Sequence, residues 1–167
     1  MFDDVRLFRA EALLQSCRAR GVRLAAAESC TGGLIAALLT EIPGSSAVFD
    51  RGFVVYSNAA KADLLGVPED ILARYGAVSE PTAKAMAEGA RRRSLADVAV
   101  AVTGIAGPGG GSAEKPIGLV YLACATAAGV SAVERRFGDI GRSAVRAATL
   151  DEALRLYEVA LGSGVTT

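Results

Sequence analysis

The chain has 167 residues, 51% of them apolar, and 18 Lys plus Arg balance 18 Asp plus Glu. That length suffices for one domain with a substantial core, and the balance leaves no basic surplus for general nucleic-acid binding and no acidic tail. No apolar run approaches a membrane span and residues 1–4 do not open a signal peptide, so a cytoplasmic protein with no membrane partner is expected.

Residues 3–20 carry Val5, Phe8, Ala12, Leu13 and Cys17 at three- and four-residue steps, which predicts a packing helix stopped by Gly21. The next stretch organises the chain. An apolar run, Leu24 to Ala27, ends in Glu28-Ser29-Cys30-Thr31-Gly32-Gly33 and passes into apolar residues at helical spacing up to about Thr40. This reads as a buried strand, a tight turn and the first turns of a helix. The turn sets the Ser29 hydroxyl beside helix-opening N–H groups able to bind phosphate or steady an oxyanion. The two glycines let a ligand approach the backbone. Spacing alone leaves open a second reading, in which Ser29 or Thr31 is simply a helix cap.

Residues 51–56 predict a short strand. Ser57-Asn58 then supplies a cap for a short helix ended by Gly66. With Asn58 as the cap, Lys61 falls in the first turn, where the helix dipole disfavours the ammonium. An ordinary solvated lysine is the competing reading. Helices are also expected over 68–75 and from a Ser79 cap to about Arg93, and a fully buried strand over 97–103. The glycine-rich loop at 103–112 follows that strand without the ending of a Walker loop, so no ATP site is expected. Strands over 117–125 and 130–137 form a hairpin around Ala127-Ala128-Gly129. The last helix opens near Arg142 and buries Leu150, Leu154, Tyr157 and Leu161; residues 163–167 form a loose tail. Arg142 and Arg146 sit at its positive end, either pointing to solvent or awaiting an anion. Together these elements predict a single α/β domain, a three-layer α/β/α sandwich on a mostly parallel sheet. Its ligand would collect beyond the carboxyl ends of the strands, where the Ser29 turn, the Tyr56–Lys61 segment and the Thr103 loop converge.

The residue inventory narrows the chemistry. With no histidine, the chain cannot hold a Ser-His-Asp triad, a Cys-His pair or a His-based zinc site. Cys17, Cys30 and Cys124 lack metal-ligand spacing, so no metal and no disulfide framework is expected. Charge is carried by fifteen arginines and only Lys61, Lys84 and Lys115. Lysine can act as a neutral base where arginine cannot.

The stretches Ala27 to Gly33, Arg51 to Asn58, Gly76 to Glu80, Thr103 to Pro108, Lys115 to Gly118 and Gly141-Arg142 together resemble the CinA carboxy-terminal domain family, which includes the stand-alone PncC-type amidases. The larger CinA proteins carry a further amino-terminal domain, to which the resemblance does not extend. The resemblance implies a mixed sheet, a homodimer, and a cofactor-free, metal-free amidohydrolase converting nicotinamide mononucleotide to nicotinic acid mononucleotide and ammonia. By motif, Ser29 would be the nucleophile, Lys61 its base and Tyr56 an assisting hydroxyl. Amides from Cys30, Thr31, Gly32 and Gly33 would receive the oxyanion, Thr103 and Gly104 would line the nucleotide pocket, and Arg142 would bind the 5′-phosphate. Cys30 is the rival nucleophile. Two other readings stay open: a non-catalytic nucleotide- or protein-binding module, and a serine–lysine amidase for another small carboxamide.

Overall fold

A computed structural model describes residues 2–162, so the tail expected at 163–167 lies outside the described residues. Five strands form one sheet in the order β2-β1-β3-β4-β5. They are β1 (Leu24–Glu28), β2 (Phe49–Val54), β3 (Val98–Gly104), β4 (Leu119–Thr126) and β5 (Gly129–Arg136). Pairs β1–β2 and β1–β3 are parallel, and β3–β4 and β4–β5 are antiparallel. Only β4 therefore runs against the others, as expected of a mostly parallel mixed sheet. The helices are α1 (Asp4–Arg20), α2 (Leu34–Glu41), α3 (Asn58–Leu65), α4 (Glu69–Tyr75), α5 (Glu80–Arg92) and α6 (Arg142–Ala160). Among the described residues no helix is long and apolar enough to cross a membrane.

Alternation along the central strands assigns the two helical layers. Leu24, Ala26, Val98, Val100, Val102, Val120 and Leu122 face the layer of α1, α2 and α6. Ala25, Ala27, Ala99, Ala101, Ala123 and Ala125 face α5, with α3 and α4 beside it. Since successive side chains on a strand point to opposite faces, a Val-Ala alternation makes one face bulky and the other thin. The thin face lets α5 lie close to the backbone. At Gly89 the fit extends to α3: a Cβ built there would stand 2.2 Å from the Leu65 carbonyl oxygen. Mid-helix glycine ordinarily weakens a helix, so the close approach accounts for it. Gly89→Ala should cost about 1–3 kcal/mol in urea melts, as overpacking does, and should displace the helix carrying Lys61.

Several elements differ from expectation in detail. The α1 stripe is rotated: Leu13 and Cys17 are buried with Ala10 and Leu14, but Val5 and Phe8 are 69% and 72% exposed and Ala12 is exposed too. Apolar residues lie on two faces of α1, and its charged residues choose between them. Arg6 pairs with Asp151 at 2.7 Å and Arg9 with Glu158 at 3.0 Å, fixing which face meets α6. Strand β2 begins and ends two residues earlier than expected, so Val55 and Tyr56 follow it, with the Val55 amide adding one last bond to the Glu28 carbonyl at 2.8 Å. The α3 cap is Ser57, whose side chain accepts from the Ala60 amide, and Asn58 is the first helical residue.

The carboxyl ends of β1, β2 and β3 share one edge of the sheet, and the reversal of β4 lets β5 finish there too. The chain leaves β5 at Arg136 and starts α6 six residues later at Arg142. The expected convergence of the Ser29, Tyr56 and Thr103 segments is met, and the start of α6 joins them.

Candidate active site

The turn after β1 is built around Glu28. This carboxylate is 1% exposed, and its oxygens accept from the amides of Gly33 at 3.0 Å, Ile35 at 3.1 Å and Ala36 at 2.8 Å. A carboxylate at a helix N-terminus meets both the orphan donors and the positive end of the dipole. The chain must double back over it, which requires left-handed backbone at Gly32 (φ 59) and Gly33 (φ 97). Two readings of the sequence change as a result. The helix-opening amides are not free for a ligand, and neither Ser29 nor Thr31 caps α2, whose Gly33 cap makes no side-chain bond. The Ser29 amide continues the ladder to the Val102 carbonyl at 3.1 Å, and Gly32 donates back to the Ser29 carbonyl at 3.1 Å. Among the described residues, the amide of Cys30 finds no oxygen acceptor and is directed to its own thiol sulfur, a weak acceptor.

Lys61 reaches this turn from α3. Its Nζ lies 3.1 Å from Ser29 Oγ, 2.9 Å from the Val55 carbonyl and 3.2 Å from the Tyr56 carbonyl. Lys61 is 1% exposed, and burial pulls its pKa below the ordinary 10.5, opposed by the Cys30 sulfur. Among the described residues no carboxylate pairs with it. A neutral amine has two N–H bonds and one lone pair. With the carbonyls of Val55 and Tyr56 taking the hydrogens, the lone pair is left to accept the Ser29 hydroxyl proton. Both carbonyls lie past Val54, the last paired residue of β2, so neither is spent on the ladder to β1. Cys30 next door is 5% exposed, and burial pushes its thiol up to about 11, which keeps it protonated and inert near neutral pH.

Around the pair is a cavity of about 210 Å³ lined by Ser29, Cys30, Tyr56, Lys61, Thr103, Gly104 and Arg142 together with Ala77, Val78 and Ala106. Tyr56 is 61% exposed on its rim. Its hydroxyl accepts from Arg142 Nη2 at 3.2 Å; its backbone carbonyl, not its ring, meets Lys61. Arg142 also donates through Nη1 to the Gly107 carbonyl at 2.9 Å, which ties the glycine-rich loop to the rim. The buried Thr103 hydroxyl donates to the Ala77 carbonyl at 2.8 Å, so Thr103 holds the facing wall in place. Gly104 is pressed against β4, where a Cβ would come within 2.7 Å of Val120. Thr31, Gly32 and Gly33 are not among the lining residues, because the arch over Glu28 curls away from the opening. Arg146 separates from Arg142: its Nη2 donates to the Thr31 carbonyl at 2.8 Å instead of joining an anion site.

Sequence reasoning missed Glu28, the Ala77-Val78 wall and the two carbonyls that orient Lys61. For Glu28 a signal existed, an acidic side chain placed just before a helix start. The carbonyls left none, since any residue has one. The groove of about 340 Å³ between the β4–β5 hairpin and α6 is larger, but its lining among the described residues brings no nucleophile and base together. Among the described residues no group of three His, Cys, Asp or Glu side chains could hold a metal ion.

The CinA C-terminal domain family matches residues 8–161. A CinA-like protein of Anaeromyxobacter sp. (strain K) is 54% identical over 152 residues, covering 90% of this chain and 37% of that protein. One from Akkermansia muciniphila is 56% identical over 133 residues, covering 80% of this chain and 32% of that protein. The chain thus spans about a third of the length of these curated relatives. Among solved structures, the competence/damage inducible protein CihA of Agrobacterium tumefaciens superposes with a TM-score of 0.93 at 54% identity, covering 97% of this chain and 98% of that one. A CinA superfamily protein of Klebsiella pneumoniae superposes at 0.89 with 34% identity, covering 94% and 98%.

Proposed function

Because the chain belongs to the CinA C-terminal domain family, we propose that it is an amidohydrolase that converts nicotinamide mononucleotide to nicotinic acid mononucleotide and ammonia, with Ser29 as nucleophile and Lys61 as base. One observation carries the reading: a buried lysine amine without a counter-charge, oriented by two carbonyls, lies 3.1 Å from a serine hydroxyl at the edge of a cavity. A serine is a weak nucleophile unless a neighbouring base takes its proton, and burial keeps that base neutral nearer working pH.

The reaction follows from these positions. Ser29 Oγ attacks the carboxamide carbon while its proton passes to Lys61 Nζ. The carbonyl electrons move onto the oxygen, and the amide of Cys30, a residue that lines the cavity, stabilises the charge there. As the C–N bond breaks, Lys61 returns the proton to the departing nitrogen and ammonia leaves, with an ester on Ser29. Water then gives a proton to Lys61 and its oxygen to the ester carbon. When the C–O bond to Ser29 breaks, Lys61 reprotonates the serine and the acid is released. Tyr56 and Arg142 close the rim, where a guanidinium suits the 5′-phosphate.

Ammonia release from nicotinamide mononucleotide, assayed with and without a chelator, is the direct test. Turnover insensitive to chelation supports the proposal, and no turnover rejects it in favour of a binding module. Running nicotinamide, its riboside and unrelated carboxamides in parallel separates a nucleotide amidase from a serine–lysine amidase of other preference. Arg142→Ala should raise KM for the mononucleotide by about 10–100-fold, the loss of one charge-assisted phosphate contact, and should raise it far less for the riboside. An unchanged KM removes Arg142 as the anchor. The homodimer belongs to the same proposal, and light scattering of the purified protein tests it.

A further inference from the structure

Two ionic side chains around the Ser29 turn take no part in the proton path above. Glu28 lies beneath the turn, bonded to the amides of Gly33, Ile35 and Ala36, and is 1% exposed without a cationic partner among the ion pairs of the described residues. Arg146 lies over it from α6, with Nη2 on the Thr31 carbonyl at 2.8 Å and close to Gly32, where a Cβ would be 3.6 Å away. Burying a carboxylate is costly unless its oxygens are well bonded. A neutral cap from Ser, Thr or Asn would satisfy the start of α2 without that cost.

A cap from those residues would bind one or two amides. Glu28 binds Gly33, Ile35 and Ala36 together and so ties the end of β1 to α2 across the whole arch. Arg146 fixes the Thr31–Gly32 peptide from the other side, with the Thr31 carbonyl turned toward α6. Between these restraints stand Ser29 Oγ and the Cys30 amide, whose separation and direction a tetrahedral oxyanion requires to be set in advance. On the amidase reading above, we propose that Glu28 and Arg146 are positioning residues that hold the Ser29–Gly33 arch in its reactive shape, so that Ser29 and the Cys30 amide act on the same carbonyl. They touch neither substrate nor Lys61.

The inference separates from general stabilisation by which kinetic constant moves. Glu28→Gln keeps the size and one acceptor oxygen but turns an amide group toward backbone donors. It should lower kcat at least about tenfold while KM changes less than about threefold, the pattern of an interaction realised in the transition state. Glu28→Asp keeps the charge but is one methylene too short to reach Ala36, and should fall with it. The pH dependence set by Lys61 should keep its position in both. Rates are expressed per serine titrated by a fluorophosphonate, so loss of folded protein does not count. Should Glu28→Gln fail to fold, Arg146→Met carries the test: it removes the Thr31 bond from outside the arch and should lower kcat about three- to tenfold on the same basis. Wild-type kcat per titrated serine in the variants overturns the inference while leaving the amidase reading intact, as does a rise in KM alone. A wild-type protein that neither releases ammonia nor reacts with the fluorophosphonate overturns both.

Discussion

Lys61→Arg is expected to lower ammonia release by at least about a thousandfold, although it preserves positive charge at the same place. The reason lies in what the side chain can lose. Arginine stays protonated at any working pH, so it cannot accept the Ser29 proton, and its planar fork does not fit a tetrahedral nitrogen held by the carbonyls of Val55 and Tyr56. The pH profile of the wild-type protein gives a second reading of the same group. Burial holds the Lys61 pKa below 10.5, so activity should fall as acid protonates it, with a midpoint on the acid side of an ordinary lysine. Stability should share the sign. Between the lowered value and 10.5 the unfolded chain binds the extra proton, so the Lys61 contribution to stability improves as pH rises through that window and is least favourable below it. Turnover by Lys61→Arg at the wild-type rate would reject Lys61 as the base.

Ser29→Ala should be as severe, about a thousandfold or more, whereas Cys30→Ala should keep most of the activity. These neighbours differ by one atom type and one position; in the sequence the motif and the absence of histidine favour Ser29, and in the fold burial does. The Cys30 thiol is pushed up to about 11 and stays an apolar neighbour, while Ser29 has a base within hydrogen-bonding distance. Parallel steady-state assays with melting curves decide the matter. Full activity in Ser29→Ala together with loss in Cys30→Ala would exchange the roles.

Strand and helix order were legible because the chain states them locally. An unbroken apolar run marks β3, Ser79 and Gly66 mark helix ends, and Leu150, Leu154 and Tyr157 mark the buried face of α6. The meeting of Ser29 and Lys61 was also within reach, since both follow strands that end at one sheet edge. Which face of α1 is buried was not, because ion pairs to α6, more than 140 residues away in sequence, select it. Nor was the fate of the α2 amides. The sequence shows a helix start with free donors, but only the fold reveals that Glu28, at the end of β1, already occupies them. The same holds for Arg142 and Arg146, one helical turn apart at the start of α6. One reaches the rim and the other the back of the turn, a difference decided by what each meets across the interface with the loops.

The single reversed strand has a topological consequence. Going up β3, down β4 and up β5, the chain makes two about-faces that cancel, so it arrives at α6 heading as it was before the detour. The excursion through residues 105–141 therefore adds loops to the candidate-site edge, delivers Arg142 there at the start of α6, and leaves a short bend, Ala127-Ala128, at the opposite pole. That bend is the natural place to attach a tether, a fluorophore or a fused domain, because it is a sheet's length away from the candidate site.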